Sequence, residues 1–295
     1  MINLLHREST VVGFIGIGVM GKSMAEHLLA AGYSLIVHTR TEEKAEELVK
    51  KGAIWANNSM EVAKNANVIM TMVGYPADVE EIYFGEHGLI KNGQKGSYLI
   101  DFTTSAPSIA VRIYTAAKEK GLHAIDAPVS GGDVGAREAK LSIMAGGDKE
   151  VFDAVHPLLT LLGTNIVYQG KAGAGQHTKM CNQIAIASNM IGVCEALVYA
   201  ENAGLDPETV LKSITTGAAG SWSLSNLAPR ILDGNFEPGF YIKHFIKDMG
   251  IAIAEAKQMG LEVPGLTLSK SLYDKLAELG EENSGTQALY KYWKM

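Results

Sequence analysis

The sequence predicts a two-part α/β protein: an N-terminal doubly wound, largely parallel sheet, then a C-terminal all-helical domain joined to it by a long interdomain helix. Three observations predict this. From Val11 to about Gly170, short β-rich runs alternate with helical patterns, the arrangement of a parallel sheet covered by helices on both faces. After Gly170 the stretch "HTKMCNQIAIASNMIGVCEALVYAENAGL" reads as one long apolar-rich helix, followed by further helical patterns and no convincing strand. The length of 295 residues also exceeds what one small core organises. The boundaries read from these changes are an N-terminal extension at 1–10, an α/β domain at 11–171 and an all-α domain at 172–295.

Composition excludes several functions. A net charge of −6 gives no general attraction for nucleic acid or an anionic membrane. The two cysteines, Cys181 and Cys194, form no CxxC or Cys/His set, which favours free thiols in a reducing, cytoplasmic compartment. No apolar run approaches the ~18 residues of a membrane span, and "MINLLHREST" has too short an apolar core for a secretory signal. The eight histidines are scattered without HxxxH or HExxH spacing, so no metal is expected.

The strands are read at "VVGFI", "SLIVH", "VIMTMV", "SYLIDF", "HAIDAPV", "LSIMAGG" and "NIVYQG". The first ends in "GFIGIGVMGKSMAEHLLAAGY", where Gly16, Gly18 and Gly21 lie between an apolar strand and a helix with Met20, Met24 and Leu28 on one face. That is the dinucleotide fingerprint in its required context. The first glycine permits the tight turn, the second lets backbone amides reach a pyrophosphate, and the third allows close helix packing. Val19 and Met20 open the helix, whose N-terminal dipole suits the same anion. At the tip of the second strand an acid would favour NAD, whereas this chain has Thr39, Arg40 and Thr41. An arginine there pairs with a 2′-phosphate, so NADP is expected, with NAD as the alternative. Val73, the last residue of the "VIMTMV" run, completes this end of the site.

Asp101 and Asp126 follow strands and are read as caps for the next turn. "DAPVSGGDVGAREAK" forms a glycine-rich loop in which Ser130, Gly131 and Gly132 offer a hydroxyl and backbone N–H groups to a carboxylate. In "GAGQHTKMCNQ", Lys179, Asn182 and Gln183 stand at i, i+3 and i+4 on one helix face, and the helix continues apolar. A lysine in a partly dry site can fall from ~10.4 to ~7 or 8 in pKa, which suits general acid/base work on an alcohol or carbonyl. Further on, Asp206-Pro207-Glu208 starts a helix, and "FIKDMGIAIAEAKQMG" closes on Gly260.

Taken in order, "GFIGIGVMG", "DAPVSGG", "GAGQHTKMCNQ" and "FIKDMG" resemble the four signatures of the β-hydroxyacid dehydrogenases, over residues 11 to about 290. The family includes 3-hydroxyisobutyrate dehydrogenase and tartronate-semialdehyde, glyoxylate and succinic-semialdehyde reductases. The resemblance implies a Rossmann domain, an all-helical domain and a homodimer or homotetramer. It implies Lys179 as the catalytic residue, Ser130, Gly131 and Gly132 as the carboxylate site, and Thr104 beside the nicotinamide. Asn182, Phe240 and Asp248 are implied at the substrate and Lys247 at the cofactor. Gln183 replaces the asparagine of several relatives, and Trp222 stands where a substrate side chain would be judged. The implied activity interconverts a small, carboxylate-bearing semialdehyde or keto acid and its hydroxy acid. An imine reductase-like enzyme and a non-catalytic NADPH-binding module are the competing readings.

Overall fold

The computed structural model describes residues 5–295. Of the N-terminal extension expected at 1–10, residues 1–4 lie outside the described residues. The rest includes one short 3-10 turn, Arg7–Ser9. The chain divides into two compact units, the first ending at Lys179 and the second beginning at Met180.

In the first unit the strands and helices alternate as expected. They run β1 (Val11–Ile15), α1 (Val19–Ala30), β2 (Ser34–His38), α2 (Glu46–Lys50), β3 (Ile54–Trp55), α3 (Ser59–Asn65), β4 (Val68–Thr71), α4 (Pro76–Phe84), α5 (Leu89–Asn92), β5 (Tyr98–Asp101), α6 (Pro107–Glu119) and β6 (His123–Asp126). Then follow β7 (Val129–Ser130), α7 (Gly132–Arg137), β8 (Leu141–Gly147), α8 (Lys149–Leu159), β9 (Gly163–Gly170) and α9 (Ala174–Asn202).

The first six strands are all parallel in the order β3-β2-β1-β4-β5-β6, the doubly wound Rossmann order. Past β6 the direction changes: β8 is antiparallel to β6 and β7, and β9 is parallel to β8. Burial follows the period-2 alternation of strands. Val12, Phe14, Val68, Met70, Tyr98 and Ile100 enter one core, while Ile15, Ile69 and Leu99 enter the core on the opposite face. Each such side chain, fully buried, contributes about 1.5–3 kcal/mol of transfer free energy.

The second unit holds the rest of α9, then α10 (Pro207–Ile214), α11 (Trp222–Asn226), α12 (Ala228–Leu232), α13 (Ile242–Gln258) and α14 (Pro264–Glu278). Asp206 caps α10 by accepting the Thr209 N–H at 3.1 Å, and Gly260 takes φ +70° just past α13, as its place after the apolar period requires.

The division between the two compact units falls inside α9, at Lys179/Met180, because its first turn is bonded to the β6 end of the first unit. By length and composition α9 is also apolar enough to cross a bilayer, with a window of mean hydropathy 1.4. The expectation that nothing in the chain approaches a span is corrected here. Met180, Ala187, Met190, Val193, Cys194 and Leu197 of this helix lie in the second unit's core.

Candidate active site

The nucleotide end is built by backbone. Gly16 has φ +100°, and a Cβ there would stand 2.1 Å from the Met72 carbonyl oxygen. A Cβ on Gly21 would stand 1.9 Å from the Gly16 carbonyl oxygen, so only glycine lets α1 approach its own turn. At Gly18 an added Cβ would meet nothing within 4 Å, and no side chain caps α1. The helix therefore presents first-turn N–H groups beside open space, with Val19 exposed and Met20 partly buried. These residues fit a dinucleotide pyrophosphate. Val73 is held through its N–H, which donates to Thr103 Oγ1 at 3.0 Å.

At the β2 tip, Thr39 is half-buried while Arg40 and Thr41 are exposed. Arg40 Nη1 lies 3.2 Å from Asp78 Oδ1, and the arginine side chain is 84% exposed. Asp78 in turn accepts the Tyr75 N–H at the start of α4. Sequence reasoning missed Asp78, which is 38 positions from Arg40.

Beneath Thr104 lies a buried polar network. Asp101, at the end of β5, accepts from Thr71 Oγ1 at 2.8 Å and from the Thr103 N–H at 3.0 Å. Tyr83 joins at the Thr71 hydroxyl, and its phenol is pushed well above the ordinary value by burial, with the Asp101 charge acting in the same direction. Asp126, at the end of β6, accepts the Gly173 N–H and the Gln176 N–H, each at 2.8 Å, and so caps the start of α9 from a distant strand. Burial raises the Asp126 carboxyl to about 6 although both N–H groups pull it down. Gly173 takes φ +87°, and a Cβ on Gly175 would stand 2.2 Å from the Met144 carbonyl oxygen. These contacts account for "GAGQ": the helix opens in contact with the sheet. Lys179, one turn on, is 7% exposed.

The Ser130 loop departs from an irregular turn. Ser130 belongs to β7, paired with Ser142, and α7 follows at once. Gly131 and Gly132 take φ +128° and +62°, a pair of left-handed conformations that exposes backbone between strand and helix.

In the second unit, Asn182 Nδ2 donates to Gln183 Oε1 and Gln183 Nε2 donates to Asp248 Oδ2, both at 2.6 Å. Lys247 Nζ lies 2.9 Å from the other Asp248 oxygen. Gln183 and Asp248 are buried, at 0% and 2% exposure, and within the unit the carboxylate faces the Lys247 cation and accepts a hydrogen bond from the Gln183 amide. Phe240 packs against Phe245 with ring centroids 5.4 Å apart. Trp222 is 64% exposed at the first position of α11.

A Rossmann sheet with an open glycine turn, followed by a helix carrying a buried lysine, defines a nicotinamide-dependent oxidoreductase. Residues 11–170 match the model of the NAD binding domain of 6-phosphogluconate dehydrogenase. Residues 173–293 match that described as NAD-binding of NADP-dependent 3-hydroxyisobutyrate dehydrogenase. The chain is 67% identical over 282 residues to an uncharacterized oxidoreductase, YkwC, of Bacillus subtilis, covering 96% of this chain and 98% of that one. It is 39% identical over 278 residues to 2-hydroxy-3-oxopropionate reductase of Escherichia coli, covering 94% and 95%. A solved structure of 3-hydroxyisobutyrate dehydrogenase from Mycobacterium tuberculosis with L-serine matches with TM-score 0.89 at 27% identity, covering 97% and 99%. The chain belongs to the β-hydroxyacid dehydrogenase family. It is an oxidoreductase of the CH–OH group of hydroxyacids, using NADP, or NAD in its place.

Proposed function

We propose that the protein reduces a small semialdehyde or keto acid to its hydroxy acid with NADPH preferred, Lys179 acting as general acid. The observation that carries the reading is a buried lysine one helical turn beyond an α9 start locked to the β6 end. When bound, NADPH supplies the hydride. The Lys179 ammonium donates its proton to the carbonyl oxygen as negative charge grows there, and in the oxidative direction the amine takes it back. Ser130 and the Gly131–Gly132 backbone hold the substrate carboxylate. Thr104 orients the reacting face, and Asn182 contacts the substrate. Arg40 answers the 2′-phosphate.

Support for a cytoplasmic homo-oligomer comes from free Cys181 and Cys194 and from one face of α9. Cys181, Ala185, Ser188, Gly192, Glu195 and Tyr199 are exposed along that face at the helical spacings of four and three, a stripe open to a second copy of the chain. Light scattering at micromolar protein measures it, and a monomer would refute it.

The test is NADPH oxidation with glyoxylate, succinic semialdehyde, methylmalonate semialdehyde and tartronate semialdehyde, alongside Lys179→Ala. That variant is expected to lose kcat by ~100- to 10,000-fold while NADPH binding holds. Near-parental turnover by the variant overturns the lysine's role. Tight NADPH binding by the parent without turnover of any of the four favours a non-catalytic module.

A further inference from the structure

The reading above leaves Gln176 without a task, yet no other side chain in the first turn of α9 is so fully engaged. It is 0% exposed. Its Nε2 donates to the Thr103 carbonyl at 2.7 Å, and its Oε1 accepts the Ser105 N–H at 3.0 Å. Those two backbone groups flank Thr104, so a single carboxamide spans that residue as a neighbouring strand would. Thr103 is 0% and Ser105 1% exposed, while Thr104 alone of the three is partly exposed. The Gln176 N–H is itself held by Asp126, and Gln176 shares a helix face with Lys179 at i, i+3.

We propose that Gln176 is a positioning residue, a strut that fixes the Thr104 loop in register with the first turn of the lysine helix. The inference rests on the proposed roles of Lys179 and Thr104. Within the first unit, the loop is then fixed from three sides. Asp101 accepts the Thr103 N–H, the Thr103 hydroxyl accepts the Val73 N–H, and Gln176 donates to the Thr103 carbonyl and accepts the Ser105 N–H. Asp101 and Val73 tie the loop to the sheet. Gln176 alone of these ties it to the helix that carries the proton donor. The two groups that must meet the nicotinamide and the carbonyl oxygen therefore share one rigid connection, and a shift of about 1 Å between such groups costs on the order of 100-fold in rate.

Gln176→Met keeps the volume and removes both hydrogen bonds. The expected result has three parts. Amide hydrogen exchange over residues 103–105 of the apoprotein rises at least tenfold. The kcat with tartronate semialdehyde falls about 10- to 100-fold, with NADPH Kd by fluorescence within about twofold of the parent. The isotope effect on kcat with 4-deuterated NADPH rises as hydride transfer becomes limiting. Gln176→Glu gives a second arm, because a neutral glutamic acid reproduces both bonds with its O–H and C=O. The titratable groups around that position are the Asp101 and Asp126 carboxyl groups and, on α9 itself, His177 and Lys179. Relative to parent, Gln176→Glu is expected to recover activity between about pH 8 and pH 6, whereas Gln176→Met does not. Parental exchange at 103–105 in Gln176→Met overturns the strut, as does faster exchange with an unchanged kcat and isotope effect. Lys179→Ala, run in parallel, reports on the general acid separately: a silent lysine variant with an intact Gln176 effect refutes the proton donor and leaves the strut standing.

Discussion

Asp126 makes protein stability depend on pH in an uncommon direction for a carboxylate. Its pKa rises from 3.8 to about 6, first because it is buried and also because of the nearby Asp101 charge; the Gly173 and Gln176 N–H groups oppose the shift without cancelling it. The folded state therefore holds the proton more tightly than the unfolded chain. The stability this contributes is fully present below about pH 3.8 and is lost as pH rises through about 6. The whole span is worth about 3 kcal/mol, and the part between pH 5 and 7.5 about 1.4 kcal/mol. Asp126→Asn removes the titration. It also sacrifices one acceptor, a loss of about 1–3 kcal/mol that does not vary with pH. Urea unfolding of both proteins at half-unit pH intervals, with the first unit followed by hydrogen exchange at α9's opening turn, reads the difference. Parent minus variant should fall by about 1.4 kcal/mol from pH 5 to 7.5. Parallel curves would show that the carboxyl is not strained by burial. A difference that grows with pH would show that the two N–H groups outweigh it.

Arg40→Ala should weaken NADPH binding about 10- to 100-fold and leave NADH within about twofold, since only the former has a phosphate to lose. Asp78→Asn should strengthen NADPH binding about two- to fivefold by removing the arginine's present partner; equal effects on both cofactors in titration calorimetry would refute the assignment. Gly175→Ala should lower Tm despite alanine's better helix propensity, by about 1–3 kcal/mol in stability, because the new Cβ meets Met144 O at 2.2 Å and Asp126 Oδ2 at 2.8 Å. Gly250→Ala, whose nearest neighbour would be the Lys270 Cε at 3.7 Å, should raise stability by about 0.5–1 kcal/mol. If both substitutions move Tm alike, close packing of α9's first turn is not the reason for its glycine.

What the sequence made readable was local. Seven apolar runs became strands because each was long enough to show its period, and β3 escaped because it has two residues, one exposed. The β7–α7 pair was read as a loop because glycines at 131, 132 and 135 obscure a six-residue helix. The fingerprint was readable because its glycines, strand and helix are contiguous. Asp126 was read only as a cap for the next turn, since its partners are 47 and 50 positions away. Gln176 had no signal beyond its place after two glycines, its partners lying 71 and 73 positions back. A cap or a turn writes itself into adjacent residues, whereas a strut between a helix and a remote loop does not.

The polar residues of α9 also separate by chemistry. Gln176 engages both ends of its carboxamide with the Thr103–Ser105 backbone, and Gln183 engages both ends of its own with Asn182 and Asp248. Amides with donor and acceptor both satisfied hold geometry, and they do not exchange protons near neutral pH. Among positions 176, 179, 182 and 183 only Lys179 has a proton whose loss changes its charge. Carboxamides at 176 and 183, each tied within its own unit, add no second titrating group along that side of the helix. A reaction that needs one proton delivered to one oxygen is best served by that division, and a carboxylate in place of Gln183, set directly against Asp248, is the change that would disturb it most.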